Sequence, residues 1–308
     1  MVAEKRHGFK GRSALTQENV LAQLSPEQPV LIAGPTASGK NALALAIARQ
    51  QGGVVVNADA IQVFANWRVL TARPSPAEEA STPHALYGHV AGERGYSVGQ
   101  WLRDIRPVLA GTLRPIITGG SGLYFQALTA GLAEIPPLPP DLRLRGQRLL
   151  QQEGLRAVLA GIDAKTLARL DTRNPMRVLR AWEVYQGTGR GLVCWHRDTP
   201  RPLLPLSAGF AVVLEVDPRT LEARITQRLE QMLRGGALEE ARANRHDFVP
   251  SRLSSKAIGA AELIAHIEGK LPLAQARQRI LIATRQLAKR QRSWFRSKMK
   301  DWQRMRSD

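Results

Sequence analysis

The stretch LIAGPTASGKN, residues 31–41, decides the fold of the chain. It follows the phosphate-binding pattern G-x-x-x-x-G-K-[ST] from Gly34 through Lys40, but position 41 is Asn where the pattern has a hydroxyl. The short apolar run 30–33 precedes the loop, and the helix-forming segment KNALALAIARQQ follows it. Strand, glycine loop, lysine and helix in this order predict a site for phosphate groups.

The predicted loop can hold an anion in three ways. Its glycines allow backbone conformations that turn successive N–H groups inward. The helix that begins near Lys40 directs its positive dipole end at the same point, and Lys40 adds a full charge. The residues expected to contact phosphate groups are Gly34, Thr36, Ala37, Ser38, Gly39 and Lys40.

Further apolar runs predict a parallel sheet. They are VVV at 54–56, PIIT at 115–118 and FAVVLEV at 210–216, and a second glycine turn, GGSG, lies at 119–122. Helical patterns separate these runs. Strands that alternate with helices are typical of a P-loop-type doubly wound parallel α/β sheet.

A proline cluster, IPPLPP at 135–140, interrupts this pattern. The segment that follows is helical in pattern, and so is the chain after Pro218. We therefore expect the core to carry a helical insertion domain and a helical C-terminus. The expected divisions are a loose N-terminal arm over 1–28, an α/β core with basic C-terminal helices over 29–137 and 206–308, and the helical insertion over 138–205.

The net charge is the main signal from the composition. The 308 residues carry 44 Lys and Arg against 26 Asp and Glu, a formal net charge of +18 at pH 7. Such an excess favours nucleic acid, acidic lipid or phosphorylated metabolites as partners. The single cysteine, Cys194, excludes an internal disulfide. No apolar run approaches the ~18 residues of a membrane span, so we expect a cytoplasmic protein without a membrane partner.

Asp59 follows the second predicted strand, in the sequence VVVNADAIQVF. Ligands of a doubly wound sheet lie outside the carboxyl ends of its strands, so we expect Asp59 near the phosphate loop. A carboxylate there can ligate magnesium, accept a proton or cap a helix N-terminus, and spacing alone does not decide between these roles. The third predicted strand offers Thr118 where a nucleotide hydrolase would carry a magnesium-binding Asp, which weakens an ATPase interpretation.

Several motifs follow one another in a specific order. They are GPTASGK (34–40), NADAIQVF (57–64), TARP (71–74), PHALYGHV (83–90), YSVGQW (96–101), GGSGLYFQAL (119–128), AIGAAEL (257–263) and TRQLAKRQRSWFR (284–296). Together they resemble the tRNA dimethylallyltransferase family. The resemblance runs from about residue 30 to residue 296, nearly the whole chain.

The resemblance implies transfer of the dimethylallyl group from dimethylallyl diphosphate to N6 of adenosine 37, beside the tRNA anticodon. The phosphate loop then holds the diphosphate of the prenyl donor rather than ATP, and Mg²⁺ is the implied cofactor. By match to the family's motifs, Asp59 accepts the N6 proton and Ser121 supplies a hydroxyl beside it. Gln62 is expected near the adenine, and Arg143 at the diphosphate.

The C-terminal helix carries the implied tRNA contacts. From residue 277 to 308 there are eleven Lys and Arg and two acidic residues, and nothing in the sequence pattern neutralises this charge. The residues expected to contact the RNA are Arg285, Lys289, Arg290 and Arg292. The residues of an adjacent face are expected to pack on the core: Ile280, Thr284, Leu287, Gln291 and Trp294. A solvated charged face is the alternative.

The helical insertion is expected to contact the anticodon stem-loop, where the target base must leave its stack to be reached. The aromatic residues considered for stacking on bases are Trp67, Trp101, Phe125 and Trp182. Each of them is also a candidate core residue.

The chain departs from the family's motifs at Asn41, Ala60, Phe64 and Asn174, where Ser or Thr, Ser, Tyr and Asp are expected. Amide oxygens suit hard cations, so Asn41 is the candidate metal ligand. Two alternatives stay open: a small-molecule kinase that binds ATP, and a tRNA-binding family member with weakened catalysis. We expect a monomer.

Overall fold

A computed structural model describes residues 17–307 of the chain. The strands are β1 (Val30–Ala33), β2 (Val54–Asn57), β3 (His84–Ala85), β4 (Pro115–Gly119), β5 (Phe210–Glu215) and β6 (Gln303–Arg306). They form one sheet in the order β3-β2-β4-β1-β5-β6, and every pairing in it is parallel. Parallel neighbours need crossover connections, which the helices supply. The predicted P-loop-type doubly wound α/β class is confirmed.

The helices lie between these strands. They are α1 (Gln17–Gln23), α2 (Lys40–Gln51), α3 (Pro76–Ser81), α4 (Val98–Leu109), α5 (Gly122–Ala130), α6 (Pro140–Gln152), α7 (Gly154–Ala160), α8 (Ala164–Leu167), α9 (Pro175–Thr188), α10 (Leu192–Arg197), α11 (Pro218–Arg234), α12 (Ala237–Asn244), α13 (Ala260–Ile267) and α14 (Leu273–Lys298). Short 3₁₀ turns occur at Leu206–Ala208 and Ser254–Lys256. Within residues 17–307, none of the helices combines the length and apolar character that crossing a membrane requires.

The chain divides into two compact units. The first comprises the described residues up to Ala127 and those from Leu204 onward, and the second is Leu128–Leu203. The sequence predicted an insertion over 138–205, beginning within the proline cluster. The second unit begins ten residues earlier, within α5.

The first unit is built on strands with buried faces. All residues of β1, β2 and β4 are buried, as the Val- and Ile-rich sequences of a sheet covered on both sides require. Leu43 and Ile47 of α2 pack in the same core. Val20 of α1 and Leu24, the residue after α1, join it too, so part of the expected loose arm packs on the core. Residues 1–16 of that arm lie outside the described part.

The C-terminal end differs from the expected helix. After α14 the chain forms β6, which pairs in parallel with β5. Met305 is buried in the sheet core, and the N–H of Ser307 donates to the Glu215 carbonyl at 2.9 Å. The segment QRMR has no alternating apolar pattern, so only its partner strand makes it a strand.

The second unit has its own helical core. Val158, Leu179 and Trp182 are among the buried residues of this core. Asn174, one of the departures from the family's motifs, is the N-cap of α9, and its Oδ1 accepts the N–H groups of Met176 and Arg177 at 3.1 and 3.3 Å. Asn serves this role as well as Asp, so the departure keeps the cap.

The four aromatic residues considered for base stacking are core residues. Trp67, Trp101 and Phe125 are 0% exposed and Trp182 is 6% exposed. Trp101 donates from Nε1 to the Asn57 carbonyl at 2.8 Å, and its ring stacks on Tyr124 with centroids 4.7 Å apart. By contrast, Nε1 of Trp67 is buried without a hydrogen-bond partner among the described residues.

This contrast gives a stability prediction. Trp101→Phe should lower the free energy of unfolding by about 1–3 kcal/mol more than Trp67→Phe, because only the first substitution leaves a buried carbonyl without its donor. Both variants lose similar ring volume, so Trp67→Phe is the matched control. Urea denaturation measures the difference, and equal losses for the two variants would contradict it.

Candidate active site

The phosphate loop lies between β1 and α2. Gly39 has a φ of 85° and Ala37 a φ of 62°, left-handed conformations that occur in anion-binding loops. The N–H of Ser38, between them, donates to the Pro35 carbonyl at 3.2 Å. A Cβ on Gly34 would lie 2.5 Å from the Oγ of Ser38, so a larger residue at this position would force the Ser38 side chain to move. The loop thus has the backbone of an anion cradle at a helix N-terminus.

Lys40 reaches back over this cradle, and its Nζ donates to the Pro35 carbonyl at 3.4 Å. Burial, which is the larger cause, and the nearby Arg228 guanidinium together lower the pKa of Lys40 to about 8, and the Asp59 carboxylate opposes both. Burial also lowers the pKa of Arg228, again opposed by Asp59. Two half-buried cations and one half-buried carboxylate therefore lie close enough for their charges to interact.

Asp59 lies at the carboxyl end of β2 and is held by its own loop. The fully buried Asn57 accepts the Asp59 N–H on Oδ1 at 2.8 Å and donates from Nδ2 to the Asp59 carbonyl at 3.0 Å. Asp59 Oδ1 accepts the N–H of Ile61 at 3.0 Å, which forms an Asx turn. The next helix begins only at Pro76, so the helix N-cap role is wrong.

The second glycine turn supports the Asp59 loop from β4. Oγ of Ser121 accepts the Ala60 N–H at 2.9 Å, and the Ser121 N–H donates to the Ala58 carbonyl at 3.2 Å. A Cβ on Gly119 would lie 2.1 Å from the Ala58 carbonyl oxygen, which requires glycine. Ser121 thus lies beside Asp59 as expected, but it bonds the adjacent backbone rather than the carboxylate.

A cavity of about 300 Å³ adjoins the loop. Its lining includes Lys40, Asn41, Gln62, Tyr87 and Arg228. A second, wider cavity of about 890 Å³ is also lined by Ala37, Gly39 and Arg228, which the two cavities share. Cavities of this size, lined by cations, suit a phosphorylated small molecule.

For two of the residues that line the cavity, Gln62 and Tyr87, the surroundings limit how they can bond to a ligand. Gln62 is buried, and its Nε2 donates to the carbonyls of Thr71 and Ala72 at 2.8 and 3.1 Å. These bonds leave its Oε1 as the group able to accept from a ligand. Burial raises the pKa of the Tyr87 hydroxyl above its usual range, and Asp59 adds to this rise. Tyr87 therefore stays a neutral donor.

The oxygen groups around the loop fit a hard cation. No group of three or more His, Cys, Asp or Glu side chains within residues 17–307 could form a protein-only metal site. Asn41 lines the cavity, and the buried Oγ of Ser38 has no hydrogen-bond partner in the described chain. Mg²⁺ commonly takes one or two protein oxygens together with phosphate oxygens and water, and this donor set suits that arrangement.

Three other residues predicted to contact a ligand have partners or positions that the sequence did not predict. The Thr36 N–H donates to Oε1 of Gln291 at 2.9 Å, so the loop amide expected at the phosphate is already bonded. Arg143 lies exposed on α6 in the second unit, and its role at the diphosphate stays a prediction. Arg285 forms an ion pair with Glu222 at 2.8 Å, so part of the charge on α14 is neutralised.

The remaining basic residues lie on α14 as predicted. Lys289 and Arg290 are exposed, and no ion pair joins them to an acidic residue in the part of the chain that is described. Arg292 is half-buried and lines a small cavity with Arg296 and Arg304. The inner face of the helix buries Ile280 and Gln291 of the predicted packing face. The other three predicted members, Thr284, Leu287 and Trp294, are half-buried.

Sequence reasoning missed Arg228 and Asn57. Arg228 lies on α11, beside the buried Ile225 and Leu229, and an arginine at the edge of an apolar helical face was the available signal. Asn57 is a polar residue at the end of an apolar strand. A buried amide there needs partners, and the loop that it holds supplies them.

The chain matches known proteins over almost its whole length. Residues 62–298 match the family described as IPP transferase, and residues 28–87 match the family described as isopentenyl transferase. The chain belongs to the IPP transferase family. The predicted family is thereby confirmed, and membership in it does not favour the small-molecule kinase.

Relatives in this family are similar along their full length. The tRNA dimethylallyltransferase of Roseobacter denitrificans is 58% identical over 277 residues, which are 90% of this chain and 98% of the relative. That of Paracoccus denitrificans is 52% identical over 289 residues, which are 92% and 96% of the two chains.

Solved structures of IPP transferases share the fold. The tRNA isopentenylpyrophosphate transferase of Bacillus halodurans is 26% identical, with a TM-score of 0.63 over 91% of this chain and 89% of that one. A eukaryotic dimethylallyltransferase acting on tRNA has a TM-score of 0.72 at 22% identity, over 91% and 74% of the two chains, and shows the fold alone.

The pKa of Lys40 gives a prediction for anion binding. Lys40 carries its charge below a pH of about 8, so affinity for inorganic pyrophosphate should fall as pH rises through this value. Lys40→Arg keeps its charge and should lose less affinity over the same range. Calorimetric titration of both proteins between about pH 6.5 and 9.5 tests this.

The arginine variant also corrects for the ionisation of pyrophosphate itself. Lys40→Gln should bind about tenfold or more weakly below a pH of about 8, where Lys40 is charged, because a charged hydrogen-bond donor is lost. The difference should shrink above that pH. An identical pH dependence for the wild type and Lys40→Arg would show that Lys40 does not titrate in the binding range.

Proposed function

We propose that the chain transfers the dimethylallyl group from dimethylallyl diphosphate to N6 of adenosine 37 of tRNA and releases diphosphate. One observation carries the proposal. In a member of the IPP transferase family, Lys40 and Arg228 line one cavity beside the phosphate loop, and the Asp59 carboxylate lies close enough to act on both charges. Cations there suit a leaving diphosphate, and the carboxylate suits a proton from the nucleophile.

The leaving group is the first requirement. The C1–O bond of the prenyl donor breaks only if the negative charge that develops on diphosphate is stabilised. Lys40, Arg228 and the N–H groups of Ala37 and Gly39 are proposed to stabilise this charge, since the loop already has the left-handed residues of an anion cradle. Arg143 is proposed to add a further contact to the diphosphate.

The nucleophile is the second requirement. The lone pair of adenine N6 is conjugated with the ring, so N6 attacks C1 well only as its proton leaves. Oδ1 of Asp59 is bonded to Ile61, whereas Oδ2 accepts no hydrogen bond from the residues that the structure describes. We assign Oδ2 as the acceptor of the N6 proton, with Ser121 and Asn57 holding the loop. Holding both substrates in line can contribute on the order of 7 kcal/mol.

Mg²⁺ is the proposed cofactor. The oxygens of Asn41 and Ser38 are the protein groups that would hold it, since they border the cradle. When bound, the ion would neutralise charge on the diphosphate. An amide at position 41 supplies a neutral oxygen as the usual hydroxyl does, so this departure does not by itself remove the activity.

The tRNA is proposed to bind the basic face of α14, with Lys289, Arg290, Arg292 and Arg285 near its backbone and Gln62 near the adenine. Lys289 and Arg290 are exposed and free of ion pairs among the described residues, which supports direct phosphate contacts. Adenosine 37 stacks in the anticodon loop, so reaching N6 requires flipping the base, at a cost of a few kcal/mol. The helical insertion is proposed to hold the anticodon stem-loop.

The remaining assignments are proposals as well. A tRNA substrate favours a cytoplasmic location. The two substrates are expected to meet in one chain, so we propose a monomer. The alternative, a tRNA-binding member with weakened catalysis, is distinguished by the assay below.

Asp59→Asn should lower kcat by two or more orders of magnitude while tRNA affinity stays nearly unchanged. Asn keeps an oxygen for the Ile61 N–H, so the loop survives, but it cannot take the proton. Transfer from radiolabelled dimethylallyl diphosphate to unmodified tRNA measures kcat, and filter binding measures affinity.

Asp247→Asn is the matched control, since Asp247 is exposed and lies outside the site. It should retain full activity. A loss of less than tenfold in Asp59→Asn would remove Asp59 as the base, and a wild type that binds tRNA without transfer would identify the weakened member.

The salt dependence of tRNA binding tests the basic face. The slope of log affinity against log salt should be steep, and Lys289→Gln and Arg290→Gln should each reduce it by about 1. Arg49→Gln, an exposed arginine on α2, is the control and should leave the slope unchanged. Unchanged slopes in both test variants would place the RNA elsewhere.

A further inference from the structure

Gln291 is a buried amide to which the mechanism above gives no role. It lies on α14 within the motif TRQLAKRQRSWFR and is 8% exposed. Its neighbours Lys289 and Arg290 are exposed, so one turn of this helix has a basic outer side and an amide on its inner side. A buried amide costs free energy unless both of its ends are hydrogen-bonded.

Both ends of this amide are bonded, and each bonds a different loop of the site. Oε1 accepts the N–H of Thr36 at 2.9 Å, and Nε2 donates to the carbonyl of Gly120 at 3.1 Å. Thr36 belongs to the phosphate loop, and Gly120 precedes Ser121 in the second glycine turn. The contacts span 255 and 171 residues of sequence, so they are purely tertiary.

The same turn lies against the carboxylate assigned as the base. A Cβ on Gly120 would lie 2.2 Å from Nε2 of Gln291 and 3.3 Å from Oδ2 of Asp59. The amide and the carboxylate thus both approach Gly120, and glycine alone leaves room for them. A change at Gln291 therefore acts on the anion cradle and on the surroundings of Asp59 together.

We propose that Gln291 is a positioning residue for prenyl transfer, whose amide fixes the phosphate loop and the Gly120–Ser121 turn relative to each other. This inference rests on the proposed function. The arrangement needs an acceptor facing Thr36 and a donor facing Gly120. A carboxamide provides both, methionine provides neither, and a carboxylate places an oxygen against the Gly120 carbonyl.

The test compares Gln291→Glu and Gln291→Met with the same substitutions at Gln275. Gln275 is exposed on the same helix and outside the site, so its variants should match the wild type. Steady-state kinetics use dimethylallyl diphosphate and unmodified tRNA at several pH values. At a pH of about 8, both Gln291 variants should lose about ten- to a hundredfold in kcat/KM for the donor, with the KM for tRNA unchanged.

The relative activity of Gln291→Glu should depend on pH, which is not expected if Gln291 only fills space in the core. The Gly120 carbonyl and the nearby Asp59 disfavour a second negative charge, so the pKa of the introduced carboxyl should be raised above its usual range. Once protonated, it accepts from Thr36 and donates to Gly120 as the amide does. The activity of Gln291→Glu relative to the wild type should therefore rise as pH falls, whereas that of Gln291→Met should not.

The inference is overturned if Gln291→Met keeps the wild-type kcat and donor KM, or if the relative activity of Gln291→Glu is constant with pH. Should Gln291→Met fail to fold, the pH dependence of Gln291→Glu decides alone. A wild type without transfer activity would overturn the proposed function instead. Titration of the same variants with inorganic pyrophosphate would then still test Gln291, with weaker binding and the same recovery at low pH expected.

Discussion

The position of β4 between β1 and β2 is the constraint on which the site depends. It pairs in parallel with both, so the carboxyl ends of three strands lie side by side at one edge of the sheet. The phosphate loop, the Asp59 loop and the second glycine turn leave the sheet at these ends. Hydrogen bonds from Ala58 to Thr118 and from Ser121 to Ala58 then join the second and third of these loops. The strand order therefore brings all three loops, and the polar groups that they carry, to one edge of the sheet.

The two cations at this edge of the sheet, Lys40 and Arg228, would be stabilised by a bound anion. Burying Lys40 and Arg228 near each other is unfavourable, and the lowered pKa of each shows the cost. Asp59 offsets only part of it. A polyanion in the cradle would offset the remaining cost of placing these two cations together. The binding energy of the prenyl donor would therefore stabilise the negative charge that develops on its leaving group.

The two sides of helix α14 differ in burial and in charge. Its inner side buries Ile280, Gln291 and Phe295 against the first unit. Its outer side carries Lys289 and Arg290, which contribute to the net charge of +18. Arg277 and Arg285 pair with Glu230 and Glu222, so not every cation on this helix is available to a polyanion. Counting charge along the sequence overestimates the binding face, because the partners of these arginines come from α11.

The sequence by itself determined the phosphate loop, the α/β class and the place of Asp59. Each follows from a short segment, since a glycine loop between strand and helix, or an acid just after a buried strand, has its setting fixed by local backbone geometry. The order of motifs further identified the family.

Only the tertiary structure decided that Arg228 faces Lys40, that Gln291 engages Thr36 and that residues 303–306 form a strand. These contacts join segments far apart in the chain. The residues that form these contacts are mostly polar and follow no hydrophobic periodicity, so the local sequence pattern does not predict the contacts. Pairing and packing of the whole sheet bring them together, and this is also why the four aromatic residues considered for stacking are buried in the core.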